Sequence, residues 1–377
     1  MIDGWTEEQH EPTVRHERPA APQDVRRVML LGSAEPSREL AIALQGLGAE
    51  VIAVDGYVGA PAHRIADQSV VVTMTDAEEL TAVIRRLQPD FLVTVTAAVS
   101  VDALDAVEQA DGECTELVPN ARAVRCTADR EGLRRLAADQ LGLPTAPFWF
   151  VGSLGELQAV AVHAGFPLLV SPVASVVEIE FLVTMIVVCS QGPNGPLIEF
   201  CAPIGHRDAD AGELESWQPQ KLSTAALDAA KSIAARIVKA LGGRGVFGVE
   251  LMINGDEVYF ADVTVCPAGS AWVTVRSQRL SVFELQARAI LGLAVDTLMI
   301  SPGAARVINP DHTAGRAAVG AAPPADALTG ALGVPESDVV IFGRGLGVAL
   351  ATAPEVAIAR ERAREVASRL NVPDSRE

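Results

Sequence analysis

The chain has 377 residues and a formal net charge of −18, long enough for two or three domains with sizeable cores. That charge repels phosphate backbones, which excludes nucleic-acid binding as the main role and leaves room only for a local basic pocket around a small phosphorylated metabolite. Charged residues make up 21% and hydrophobic ones 49%, the balance of a soluble globular protein rather than a disordered or fibrous one.

Residues 1–24 are polar and proline-bearing, lack the apolar stretch of a secretory signal, and read as a disordered tail. VMLLGS then reads as a buried strand, SRELAIALQGLG as a helix stopped by glycine, and EVIAVD as a second strand. The pattern repeats through SVVVTM, DAEELTAVIRRLQ, DFLVTVT, VSVDALDAVEQA and TELVP. Strand–helix–strand succession calls for an α/β fold with a doubly wound parallel sheet, here an N-terminal domain over residues 25–126. GSAEPS, residues 32–37, stands where a dinucleotide-binding fold carries GxGxxG, yet only Gly32 is present. A nicotinamide-dependent dehydrogenase is left with Asp55, at the end of the second strand, as its support.

Residues 127–300 read as a central α+β domain. Ala128 to Leu141 patterns as an amphipathic helix, GSLGELQAVAVHAGFP as another, and residues 224–243 as a third. LLVSPVASVVEIEF, residues 168–181, reads as two strands around a Ser171–Pro172 break. Residues 168–190 are apolar, but Pro172, Glu178 and Glu180 make a membrane span costly, and the β-branched residues suit buried strands. GVFGVELMINGDEVYFADV is a hairpin turning at Asn254–Gly255. Residues 301–377, with DVVIFG, GVALAT and a final helix from about Pro354 to Leu370, form a small β-rich C-terminal domain.

Glu250 and Asp262 sit on the two strands of that hairpin, where carboxylates can converge on one Mg²⁺. The plainer reading is two acids at a sheet rim. GHRDADAGELESWQPQ, residues 205–220, reads as a long polar loop anchored by Trp217, with His206, Arg207, Glu215 and Gln220 as candidate contacts or as an Ω-loop packed on its own tryptophan. As a base, His206 lacks an orienting partner nearby in sequence. There is no GxSxG elbow for a serine hydrolase. Five cysteines form no CxxC pair or Cys/His cluster, which disfavours structural zinc and a disulfide framework and fits a reducing cytoplasm. A phosphate-touching lysine would have to be Lys221, Lys231 or Lys239.

Taken in order, VMLLGS, EVIAVDGY, APAH, REGLRRLAA, LGLPT, FCAPIGHR, ESWQPQ, ALGGRGVFGVEL, GDEVYF and LGVALATA resemble the formate-dependent phosphoribosylglycinamide formyltransferases of purine biosynthesis, from Val25 to about residue 370. The resemblance implies an N-terminal domain for the ribonucleotide, a central ATP-grasp domain, a small C-terminal domain and a homodimer. It also implies ATP and Mg²⁺ as cofactors, and formyl phosphate made from formate and ATP before the substrate amine attacks it.

Transferred position by position, the resemblance gives Arg130 as an ATP contact and Glu250 and Asp262 as the magnesium carboxylates. The ATP lysine falls on Ser171, and the glycine-rich loop that should follow is absent, which leaves a truncated ATP-grasp domain. Leu182 takes the place of an adenine-side acid, Cys266 that of an arginine, and Gly269 that of the substrate aspartate. On the ribonucleotide side Glu35 remains, a glutamate becomes Ala97, and in IFGRGLGVALA Arg344 is the one basic residue left of those that would meet the substrate phosphate. Arg207 and Lys221 stand as remnants or substitutes at the phosphates. Two readings follow: a catalytically impaired or non-catalytic homologue serving a small metabolite or a regulatory protein partner, or an active formyltransferase or related carboxylate–amine ligase with a rearranged site.

Overall fold

Uninterrupted apolar runs such as Val28 to Leu31 and Val51 to Val54 are wholly buried, as central strands of a sheet covered on both faces must be. In the computed structural model, which describes residues 25–110, 115–145, 180–192, 195–208, 213–266, 269–308, 323–343 and 346–370, these runs are β1 (Arg27–Leu31) and, after α1 (Glu35–Gly46), β2 (Glu50–Asp55). They are followed by β3 (Gln68–Val71), α2 (Ala77–Leu87), β4 (Phe91–Thr94), α3 (Val101–Glu108) and β5 (Glu116–Val118). The strands pair in parallel in the order β3-β2-β1-β4-β5, with one core on each face. Asp76 and Ser100 accept first-turn N–H groups and so start α2 and α3. The order reverses between β1 and β4, which opens a crevice at their C-terminal ends.

The helix expected over residues 128–141 runs from Arg130 to Gln140, and a second helix precedes it. An unanticipated α4 (Ala121–Ala128) ends at Asp129, which leaves the helical region with φ −95° and ψ 89°. Its side chain accepts the Gly132 N–H and begins α5 (Arg130–Arg135), followed by a wide turn through Gln140.

The second sheet takes up most of the remaining chain. Its elements are β6 (Phe181–Gly192), β7 (Gly195–Phe200), β8 (Ile204–Asp208), β9 (Leu214–Gln218), α6 (Thr224–Leu241), β10 (Gly245–Asn254), β11 (Glu257–Thr264), α7 (Val282–Ile290), β12 (Gly303–Ile308), α8 (Ala325–Leu332), β13 (Ser337–Gly343), β14 (Leu346–Thr352) and α9 (Val356–Leu370). The strands run β11-β10-β6-β8-β9-β12-β14-β13, with β7 paired to β6, and their pairings are antiparallel. Helix α6 covers one face through Ile233, Ile237 and Leu241 against Val183, Met185 and Phe247. Helix α7 and Trp272 fill the other face.

Two expectations change here. The stretch read as a long polar loop, residues 205–220, supplies two paired strands of the sheet, β8 and β9, and Trp217 packs on Ala359 and Ala363 of α9 as well as against Gly205 and Gln220 of its own stretch. The segment read as a separate C-terminal domain is rich in strands, but β12 pairs with β9 over five residues and makes those strands an extension of the central sheet. The tail, the helix expected in GSLGELQAVAVHAGFP, the Ser171 break and Arg344 lie outside the described residues. Among the described residues, no helix is long and apolar enough to cross a membrane.

Candidate active site

The turn after Asn254 sets the site. Gly255 takes a positive φ of 58°, which glycine adopts without steric cost, and the hairpin brings Glu250 and Asp262 directly opposite one another. A bulge between Glu250 and Leu251 shifts the register by one residue at this point. Bulges re-aim side chains beside functional sites, and here Asp262 is turned to the face that carries Glu250.

Both oxygens of Glu250 are engaged. Oε1 accepts the Thr184 hydroxyl at 2.8 Å, and Oε2 lies 2.7 Å from His206 Nε2. Thr184 is in turn 2.7 Å from the Ser270 hydroxyl. Asp262 Oδ1 accepts the Val263 N–H at 2.8 Å, and its other oxygen is 3.7 Å from Arg130. Burial raises the pKa of Asp262 above the ordinary carboxylate range, against the pull of Val263, Arg130 and Arg134, while the charge of Glu250 adds to the rise. A cation between the two carboxylates would relieve that repulsion. Two carboxylates are also what Mg²⁺ asks of a protein, since it keeps waters and substrate phosphates for its other positions. Among the described residues no cluster of three or more His, Cys, Asp or Glu forms an all-protein cage. The residues fit Mg²⁺ held with substrate, through Glu250 and Asp262.

The other anticipated residues divide between the two faces of the sheet. Successive strand residues point to opposite sides, so Arg207 faces away from His206. It donates to Glu215 Oε2 at 2.7 Å. Arg360 of α9 donates to both oxygens of the same carboxylate, at 3.0 and 3.2 Å, and stacks 3.9 Å over the Trp217 ring. Burial alone would raise the pKa of Glu215, but the hydrogen bonds and charges of Arg360 and Arg207 outweigh it and hold the group below its ordinary value. Gln220 accepts the Trp217 indole N–H at 2.6 Å. Lys221 lines a cavity of about 530 Å³ with Trp217, Pro302, Glu355 and Arg360, on this second face. Neither Arg207 nor Lys221 joins the Glu250 cluster.

Leu182 does. It is two residues from Thr184 on β6, sits opposite His206, and is 38% exposed on the site face. Gly269 opens a short turn over residues 269–273, where a Cβ would meet Leu214 at 2.9 Å, so a larger residue there needs Leu214 to move. Cys266 has its thiol pKa pushed up to about 12 by burial, so it stays neutral. In the first sheet, Glu35 opens α1 and Ala97 follows β4, flanking the crevice between β1 and β4. Asp55 accepts the N–H groups of Ser33 and Gly56, each at 2.7 Å. Its carboxylate braces the β1–α1 loop, which takes away the main support for a nicotinamide-binding reading.

Thr184 and Ser270 went unnoticed in the sequence. Thr184 lies inside the apolar strand FLVTMIVV, and its one signal is the period-two spacing with Leu182 and Ile186.

Comparison with known proteins places the chain in a class. A model of the ATP-grasp domain matches residues 172–283, which include Glu250 and Asp262. The formate-dependent phosphoribosylglycinamide formyltransferase of Rhodococcus jostii (strain RHA1) is 41% identical over 389 residues, covering 91% of this chain and 94% of the relative. That of Methylococcus capsulatus (strain ATCC 33009 / NCIMB 11132 / Bath) is 43% identical, covering 93% and 97%. A solved glycinamide-RNase-transformylase T from Mycobacterium tuberculosis is 90% identical, with a TM-score of 0.83, over 91% of this chain and 99% of that one. The chain belongs to the formate-dependent phosphoribosylglycinamide formyltransferase family. An alignment of 389 positions exceeds the 377 residues of this chain, so the Rhodococcus protein carries residues that this chain lacks.

Proposed function

We propose that this chain formylates glycinamide ribonucleotide with formate and ATP, at a site built on Glu250 and Asp262. What carries the reading is their cross-strand register, with Arg130 against Asp262, in a chain 41–43% identical to formyltransferases over nine-tenths of its length. In this reading a formate oxygen attacks the γ-phosphorus of ATP. The bond to the bridging oxygen breaks, ADP leaves with its electron pair, and formyl phosphate remains. The ribonucleotide amine then attacks the formyl carbon, phosphate departs, and the amine gives up a proton. Mg²⁺ held by Glu250 and Asp262 would neutralise phosphate charge, and Arg130 would add a guanidinium suited to phosphate oxygens. By the same family membership, the proposed working form is a homodimer, which light scattering tests. The decisive assay incubates purified protein with formate, Mg·ATP and glycinamide ribonucleotide and measures ADP and formylated product. Turnover on the order of 1–10³ s⁻¹ supports the proposal.

A second reading, an impaired or non-catalytic homologue, is favoured by particular observations. Leu182 puts an exposed apolar side chain on the site face, Gly269 leaves its turn without a side chain, and the Rhodococcus relative has residues missing here. Each lost charge-assisted contact weakens binding by about 1.5–3 kcal/mol, and 1.4 kcal/mol is about tenfold. Calorimetric titration with Mg·ATP separates the readings: a micromolar dissociation constant favours the enzyme, and no binding up to millimolar ATP favours the second reading.

A further inference from the structure

The carboxylate of Glu250 is held by a chain of hydroxyls whose direction chemistry fixes. An ionised carboxylate only accepts hydrogen bonds, so the Thr184 hydroxyl must donate to Oε1 across 2.8 Å. A hydroxyl has one proton. With that proton on Glu250, Thr184 can only accept from Ser270, 2.7 Å away. Thr184 is 0% and Ser270 2% exposed, so water does not compete for either. On the other side His206 Nε2 stands 2.7 Å from Oε2, in position to donate its N–H. Each oxygen of Glu250 thus has one donor and keeps a lone pair, and the plane of the carboxylate is pinned from two sides. Three elements contribute: Thr184 from β6, His206 from β8, and Ser270 from the turn over residues 269–273.

We propose that Thr184 and Ser270 are positioning residues that orient Glu250 for a divalent cation, an inference that rests on the reading of Glu250 as a magnesium ligand. Ligating carboxylates are commonly held by such hydrogen bonds, and losing them reduces metal affinity. If packing were the sole requirement, apolar side chains of the same shape would serve equally well, since replacing both partners of a buried hydrogen bond is nearly neutral. Thr184 is also β-branched and stiff at χ1, which suits a fixed donor.

The test titrates Mn²⁺ alone, as an oxygen-seeking stand-in for Mg²⁺, into the intact protein and reads free ion by electron paramagnetic resonance. Thr184→Val, nearly isosteric, is expected to weaken Mn²⁺ binding by roughly tenfold or more. Thr184→Ser, which restores the hydroxyl, is expected to hold affinity within about twofold. Ser270→Ala, acting through Thr184, should give a smaller loss than Thr184→Val. Melting curves of the same samples separate folding from metal affinity. A lower melting temperature for Thr184→Val with unchanged Mn²⁺ affinity means a purely structural hydroxyl and overturns the proposal alone. Absence of Mn²⁺ binding by the unaltered protein, both alone and in a repeat titration with ADP present, overturns it together with the metal-site reading.

Discussion

His206 and Arg207 are neighbours on β8 and belong to different parts of the molecule. His206 reaches Glu250 on the face where carboxylates, hydroxyls and an exposed Leu182 gather. Arg207 reaches a buried Glu215 on the face closed by α9, where Arg360 and Trp217 complete a packed ionic cluster. One strand thus separates a site with capacity for ligand from a fastening of the fold, and polar composition alone does not tell them apart. The residues of GHRDADAGELESWQPQ form one polar motif in sequence and two unrelated devices in space.

The sharpest way to break this contrast is Glu250→Gln. If the first face carries the chemistry, the variant should lose on the order of 10²–10³ in kcat/KM for formyl transfer, with little change in melting temperature. Equal activity would remove that face from the reaction.

Glu215→Gln tests the second face and should act on stability instead. Removing one member of a buried charge cluster costs about 3–5 kcal/mol when the partners stay buried. Here Arg207 is 53% exposed and can turn to water, so roughly 2–3 kcal/mol and a drop of about 3 °C in melting temperature are expected. The pH dependence has a definite sign. The folded-state pKa of Glu215 is depressed, so its contribution is present above the unfolded value, about 4.3, and is lost as pH falls through the lower folded value. The gap between variant and unaltered protein should therefore be flat near neutrality and close in acid. A gap that widens in acid would mean the carboxylate is not the stabilising partner.

Gly205→Ala probes the packing of that second face. An added Cβ would lie 2.5 Å from the Trp217 ring and 2.6 Å from Gln220 Oε1. Overpacking of this kind costs about 1–3 kcal/mol, which denaturant unfolding would register. The smallest effect is expected from Lys221→Ala, whose side chain is exposed at the cavity beside α9. Stability should shift by about 0.5 kcal/mol or less, and formyl transfer should not change. A large loss of turnover would place this lysine at the phosphates after all and erase the division between the faces.

What could be read from sequence depended on how local each signal was. The parallel N-terminal sheet was legible because the buried runs of β1 and β4 are each followed within a few residues by an amphipathic helix. The hairpin was legible because Asn254–Gly255 marks its turn, but the turn's register alone would set Glu250 opposite Ala261, and the bulge that brings Asp262 there instead has no signal in the sequence. The β8–β9 hairpin was not, because its buried residues include Glu215, Ser216 and Gln218, which look like loop residues until the arginines and hydroxyls that satisfy them are in place. Helix α4, ARAVRCTA, buries three small apolar residues among arginines and gives a weak stripe. Thr184 is hidden among valines and leucines, and its partner Ser270 is 86 residues away.

The pairing of β9 with β12 has a consequence for how the chain comes to be folded. Residues 214–218 wait for residues 303–307, which in turn pair with residues 348–352 of β14. Contacts of such separation are slow to form. During synthesis the β9 edge, with Trp217 beside it, stays open until β12 has emerged, and the β12 edge then stays open until β14 and α9 follow. An unpaired edge of this kind is a template for association between chains. A nascent or C-terminally shortened form is therefore expected to aggregate and to recruit chaperones, even though the carboxylate hairpin of residues 245–264 is complete long before that point.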